Sequence, residues 1–379
     1  MKPKARPMLS DLDDYPIHQS PEPLAHPVTG DRNFYDRYFF NGFSRDGEFF
    51  FAAAMGLYPN RSVMDAAFSV VRGGEQYSLH ASRLAPTERT ETRVGPISLE
   101  VLEPMRRFRL SITPGDSDLS CELVFDARTA ALEEPRFTVQ HRGRVSMDST
   151  RFAQFGDWSG WVRVGSETID VQSNQVPGVR DRSWGIRQVG EREIGAPGPA
   201  PQFFWLWAPL HFDDVCTHFG VNEYADGQIW HSNGVVAPRY SSADLIPKGV
   251  DPDVVRTPDA KHRIRWEPGT RRAASAEIEI APHGQIHRQI SLEPMLTFQM
   301  LGIGYLNPKW GHGLWKGDLA VGAERWKLDE LDVLELQHIH IQQLCKARMG
   351  DREGIGVLEQ LVIGPHGPSG FESLLDGAR

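Results

Sequence analysis

Tyr35-Asp-Arg-Tyr-Phe-Phe-Asn-Gly-Phe-Ser-Arg-Asp-Gly-Glu-Phe-Phe-Phe-Ala-Ala-Ala54 reads as a β-hairpin. Two aromatic-rich runs flank Asp46-Gly47, a dipeptide that tolerates the positive φ of a tight turn. Working outward, Gly56-Leu-Tyr-Pro-Asn60 reads as the next turn, and 63–71 as a strand ending at Gly73-Gly74. Short or alternating apolar runs follow at 97–102, 107–112, 121–126, 136–140 and 161–171. In the second half, Phe203-Phe-Trp-Leu-Trp-Ala208 is apolar on both faces, as a fully buried strand is. Asp226-Gly227 marks another hairpin, and strands are expected near 262–266, 276–280 and 287–292. Periodicity leaves 331–349 open between helix and strand, but the Gly350-Asp-Arg-Glu-Gly354 turn and the 355–363 run favour a closing hairpin. The chain therefore reads as all-β antiparallel sheet.

A length of 379 residues suits two domains, and 40% hydrophobic with 24% charged residues is a globular composition. The net charge of −9 offers no basic surplus for phosphates, so nucleic acid is not an expected partner. The basic start at 1–6 has no apolar run behind it, so neither a secretory signal nor a transmembrane segment is expected. Cys121, Cys216 and Cys345 are odd in number and far apart, which fits a reduced, cytoplasmic protein with buried thiols. The expected division is an irregular arm at 1–33, a first β domain at 34–194, a Pro/Gly linker at 195–201 and a second β domain at 202–379.

Three landmarks recur in the same order. Phe-x7-Gly closing on Asp-Gly occurs at 39–47 and 219–227. Glu-Pro-Met occurs at 103–105 and 293–295, and Trp-x-Gly-x4-Gly-x-Glu at 158–167 and 315–324. They suggest two β domains related by internal duplication.

Gly178-Val-Arg-Asp-Arg-Ser-Trp-Gly-Ile-Arg187 crowds charge, hydroxyl and indole into ten residues. If extended, it places Asp181, Ser183 and Arg187 on one face and Arg180, Arg182 and Trp184 on the other. Two readings stand: an acid in a pocket, or an ion-pair corner around a packed tryptophan. With these residues in place, the chain resembles the carotenoid 1,2-hydratase (hydroxyneurosporene synthase) family and the related AttH-like proteins. The resemblance rests on Trp158-x-Gly160, Asp181-x-x-Trp184-Gly185 and Trp315-x-Gly317. It implies a pair of lipocalin-like β-barrels over roughly residues 35–365. Gly302-Ile-Gly-Tyr-Leu-Asn-Pro-Lys-Trp-Gly-His-Gly-Leu-Trp-Lys-Gly317 and Gly354-Ile-Gly-Val-Leu-Glu-Gln-Leu-Val-Ile-Gly-Pro-His366 are most similar to an uncharacterised bacterial branch of that superfamily.

Adding water to an alkene needs a proton donor, a positioned water and a surface that tolerates a developing cation. A carboxyl group in an apolar cavity keeps its proton, and aromatic faces stabilise the cation. Asp181, Trp184 and Arg187 are the catalytic candidates; Trp205, Trp207, Tyr305, His312 and Trp315 are the ligand contacts. If Arg180 or Arg182 pairs with Asp181, the carboxylate stays ionised and is a poor acid. Turn chemistry accounts for Asn41 and Asn60 in a second polar set with Tyr58 and Asp65. Glu167 and Glu324 are read as stabilising matching turns. His338 and His340, if on one strand face, have a chelating spacing that His312, Glu324 or Glu359 would complete. No metal or other cofactor is assigned, and P-loop, GxSxG and helix-opening GxGxxG motifs are absent. The expected partner is a hydrophobic small molecule (an isoprenoid, steroid or lipid) in an apolar cavity near the domain junction. The expected activity is acid-catalysed hydration or isomerisation of an alkene. The alternatives are a non-catalytic carrier and a metal-dependent second domain; oligomeric state is left open.

Overall fold

The computed structural model describes residues 9–115, 117–141, 143–191, 200–282 and 287–379. Among them the chain is all-β: its helical pieces are 3-10 turns of three or four residues. Two antiparallel sheets of 14 and 9 described strands each curl into a nearly closed barrel. Val63–Arg72 and Glu75–Leu84 touch Arg93–Val94 in the first sheet, while Val215–Glu223 and Ile229–Pro238 touch Ala260–Trp266 in the second. These contacts bring the ends of each sheet together.

In the first sheet Pro177–Ile186 is central, paired with Phe34–Phe43 on one side and Arg144–Val164 on the other. Its edge beyond Glu75–Leu84 is Leu319–Lys327, a strand from the C-terminal half of the chain. In the second sheet Phe203–His211 lies between Val215–Glu223 and Arg352–Ile363, and the latter pairs onward with His340–Met349.

Strand alternation distributes most of the buried apolar residues over three large cores, with a small fourth cluster at Tyr35, Tyr58, Val63 and Val189. Phe40, Phe49, Phe51 and Trp158 fill the first barrel, and Phe204, Leu206 and Leu210 the second. Their neighbours Phe39, Phe43, Phe50, Trp205 and Trp207 point the other way and pack barrel against barrel. This explains the unbroken runs Phe49-Phe-Phe-Ala-Ala-Ala54 and Phe203-Phe-Trp-Leu-Trp-Ala208, since both faces of each strand leave water.

Both Asp-Gly turns form as read: Gly47 has φ 80° and Gly227 φ 85°. The open segment at 331–349 resolves into a turn at Leu336–His338 and the strand His340–Met349, hairpinned to Arg352–Ile363. One strand assignment is corrected. Residues 161–171 are not a single strand: Arg144–Val164 ends there, Gly165 turns at φ 60°, and Glu167–Val171 folds back on it. Of the repeated landmarks, the Asp-Gly hairpins correspond between barrels, but the other two pairs differ in setting. Glu103 ends a strand before a turn, whereas Glu293-Pro-Met295 lies inside Arg288–Gln299 at a bulge. Trp158 is fully buried, while Trp315 is 48% exposed ahead of the crossing strand. Residues 195–199 of the expected linker and 1–8 of the arm lie outside the described residues.

Candidate functional site

A cavity of about 600 Å³ lies between the two sheets, and strand register lays out its floor. Residues paired across neighbouring strands point to the same face. On the first sheet Phe39, Asp181 and Ala153 make one row; Arg37, Ser183 and Arg151 the next; Tyr35, Gly185 and Ser149 the third. All but Ala153 and Gly185 line the cavity. From the second sheet Trp205, Leu361 and His340 form a facing row, and Glu359 reaches in from the row behind. The turn Met300–Ile303 leads into a loop that brings Tyr305, Asn307 and His312 to the cavity.

At one end the charges are acidic. Arg151 donates to Asp181 Oδ2 from Nε at 2.7 Å and from Nη2, while Oδ1 has no protein partner among the described residues. The same guanidinium lies 3.6 Å from Glu134 and 4.9 Å over the Trp205 ring. Burial pushes the Asp181 carboxyl above its ordinary pKa, and Glu134 adds to this against the pull of Arg151. Glu134 is raised by burial too. Burial also works against the charge on Arg151, but Asp181 and Glu134 outweigh it and hold the cation. Glu359 goes the opposite way: burial disfavours its ionisation, yet His340 at 2.7 Å and Gln342 at 2.8 Å lower its pKa.

At the other end the charges are basic. Arg187 Nη2 donates to His312 Nδ1 at 3.1 Å, and His312 Nε2 donates to the Ile303 carbonyl at 3.0 Å. Those two bonds fix the neutral, Nε2-protonated tautomer. Burial, with Arg37 and Arg187 nearby, holds this imidazole well below its ordinary pKa. Tyr305 stands edge-on to His312 and His340, and the Arg37 and Arg187 guanidiniums lie 5.1 and 5.5 Å from its ring centre. Behind them Arg37 donates to the Tyr58 hydroxyl at 3.3 Å, and Tyr58 donates to Asp65 at 3.2 Å.

Residues 9–372 match the profile of a family of unknown function (DUF8625), nearly the whole chain. The chain belongs to that family. No curated protein matches it in sequence. Among solved structures, a putative AttH from Nitrosomonas europaea is similar over 87% of this chain and 93% of its own, at 13% identity and TM-score 0.52. Kievitone hydratase from Nectria haematococca covers 86% of this chain and 88% of its own, at 10% identity and TM-score 0.48. CghA with Sch210972 covers 87% and 89%, at 10% identity and TM-score 0.49. The first likeness is one of fold, and it is the AttH-like pair of barrel-like sheets that the sequence resemblance implied.

Within this family member, Asp181, Arg187, Trp205, Tyr305 and His312 meet in one cavity. Trp184 does not: it is 37% exposed on the opposite face, edge-on to Phe152. Trp315 also stays outside the cavity lining, and Trp207 sits behind it with its indole N–H 3.5 Å from Glu134. Neither sequence neighbour of Asp181 pairs with it. Arg180 turns to the far face, bonding Gln154 between the rings of Phe108 and Phe152, and Arg182 pairs with Asp36. His338 and His340 do not share a strand face, since His338 ends a turn and bonds the Asp332 carbonyl at 2.8 Å. Among the described residues no group of three or more His, Cys, Asp or Glu side chains converges as metal ligands do. Asn41 is not a turn residue but lies within Phe34–Phe43, bonding Val179 and the second-sheet Gln342. Asn60 does tie a turn, to the carbonyls of Thr29 and Asp31. Glu167 pairs with Arg72 beside its turn, whereas Glu324 lies on the crossing strand and binds Asn307. Among the described residues no helix is long and apolar enough to cross a membrane.

Sequence reasoning missed Arg151, Glu134, Arg37 and Tyr35. Arg37 and Arg151 are arginines inside strands, but that they face a cavity shows only once register is known, and no local signal marks Glu134 or Tyr35.

Proposed function

We propose that the cavity binds a hydrophobic small molecule carrying an alkene and that Asp181 protonates it, leading to hydration or isomerisation. One observation carries this reading: a carboxyl group with a raised pKa sits on the floor of a cavity walled by Trp205, Tyr305, Phe137 and Phe203. Arg151 occupies Oδ2 and leaves Oδ1 to the ligand. A bound apolar ligand expels water and raises the acid's pKa further. The proton passes from Asp181 to the less substituted alkene carbon, and the aromatic walls stabilise the cation left on its neighbour. Water adds to that cation, and the proton it sheds returns to the Asp181 carboxylate. In an isomerisation the cation instead loses a proton from an adjacent carbon, again to Asp181.

The test is Asp181→Asn, which keeps size and polarity but has no acidic proton. Turnover of a prenyl-type alkene should fall to background, with ligand affinity kept within a few-fold. Retained turnover in Asp181→Asn sinks the acid assignment. The Arg151–Asp181 pairing supports a second reading, binding without chemistry, in which the pair serves as a clasp. That reading predicts affinity without turnover in the wild type as well.

A further inference from the structure

We infer that the ligand is an anionic amphiphile: an unsaturated carboxylic acid whose carboxylate sits at Arg187, with its alkene at Asp181. This assignment rests on reading the cavity as an alkene site, and adds the head group that reading left open.

The cavity's charges are segregated. Asp181, Glu134 and Glu359 gather around Arg151. Among the described residues neither Arg37 nor Arg187 has a carboxylate in ion-pair contact; Asp65 lies near both but accepts instead from the Tyr58 hydroxyl and from the Gly313 N–H at 2.7 Å. Two guanidiniums with no carboxylate in direct contact leave positive charge uncompensated, and for Arg37, which is buried, an unpaired cation is costly. His312 does not relieve it, being neutral with both ring nitrogens engaged.

Arg187 is also built to receive a planar anion. Its guanidinium lies 4.6 Å over the Tyr35 ring and 5.5 Å from Tyr305, and Nη2 is held by His312. Nε and Nη1 have no protein partner among the described residues, and Arg187 lines the cavity. Arg37, itself 2% exposed, is pinned by Tyr58 and Ile303 and keeps an unpartnered Nε. The fork geometry of a guanidinium matches a carboxylate with two parallel hydrogen bonds.

Spacing sets the length of the molecule. Asp181 and Arg187 are six residues apart along an extended segment, at most about 20 Å at the rise of a strand. A head group at one and an alkene at the other call for a chain of roughly sesquiterpene length. Farnesoic acid and farnesol are therefore matched probes, with the same three alkenes and different head groups.

Calorimetric titration of the full chain at pH 8 with each probe gives the test. Farnesoic acid should bind at least about tenfold tighter than farnesol, the worth of a charge-assisted hydrogen bond. Arg187→Gln should abolish that preference while leaving farnesol affinity within about twofold, and Arg187→Lys should restore part of it. Equal binding of acid and alcohol by the wild type overturns this inference alone, as does Arg187→Gln weakening both probes alike. Farnesyl phosphate binding tighter than farnesoic acid overturns the carboxylate assignment. Failure of both probes to bind overturns the alkene-site reading together with this one.

Discussion

Arg151 Nε stands 2.7 Å from Asp181 and 3.6 Å from Glu134, so one guanidinium serves two buried carboxyl groups. Replacing it by methionine fills similar space but strands both acids away from water. Arg151→Met should lose about 3–5 kcal/mol of stability, the usual effect of breaking a buried pair from one side. Urea unfolding measures it, and a loss under about 1 kcal/mol would show the cluster to be solvated. This partner was invisible in sequence because it lies 30 residues upstream of Asp181. The arginines adjacent in sequence, Arg180 and Arg182, were the obvious partners, yet alternation turns both to the opposite face. Alternation was readable, and it placed Asp181, Ser183 and Arg187 together correctly. The neighbour across the sheet was not, because register depends on pairing between distant strands.

At the scale of elements, strands announced themselves through turns. Asp46-Gly47, Gly73-Gly74 and Asp226-Gly227 all reverse the chain as read. The error at 161–171 came from trusting alternation across Gly165, whose φ of 60° makes it a turn. The crossing of Leu319–Lys327 into the first sheet left no local trace, since an edge strand looks alike wherever it docks. Close packing of strands also gives a sharp expectation at Gly178, opposite Asn41 and Trp158. A Cβ there would sit 2.1 Å from the Asn41 carbonyl oxygen and 2.5 Å from the Trp158 indole nitrogen. That oxygen is backbone and accepts the Trp158 N–H at 2.8 Å, so it has little room to yield. Gly178→Ala should therefore cost at least about 1–3 kcal/mol. Gly30→Ala, where a Cβ meets open space, should be near neutral. Thermal unfolding compares the two, and equal melting temperatures would contradict the packing described.

Over the whole molecule, buried histidines set the acid limit. Burial holds His211 and His312 well below their ordinary pKa, His218 at about 3 and His231 at about 4. In the unfolded chain each protonates near pH 6.5, roughly the free imidazole value. Below that pH the unfolded state binds protons that the folded state refuses, so stability falls as pH drops. Glu223 adds a later step. Burial opposes its ionisation, but hydrogen bonds from His262 at 2.7 Å and His366 at 2.8 Å win, lowering its pKa from 4.5 to about 2. Its contribution is therefore complete above pH 4.5 and is lost as pH falls toward 2. Urea midpoints should hold between pH 8 and about 7, decline from about 6.5, and fall more steeply below about 4.5 as Glu223 is protonated. A flat midpoint from pH 8 to 5 would mean that these imidazoles take up protons in the folded state.

Sequence by itself determined the all-β class, the main hairpins, the doubly buried strand Phe203–His211, and the face on which Asp181 lies. Those follow from local rules: turn residues, period-two alternation and the absence of helical stripes. Only the tertiary structure decided that Arg151 rather than a sequence neighbour holds Asp181, that Trp315 stays outside the cavity, and that Arg37 joins Arg187. Each depends on which distant strands pair, and in what register, and one barrel packed on another supplies the opposite wall. Pairing is set by the sum of all buried contacts, which no single stretch of the chain contains.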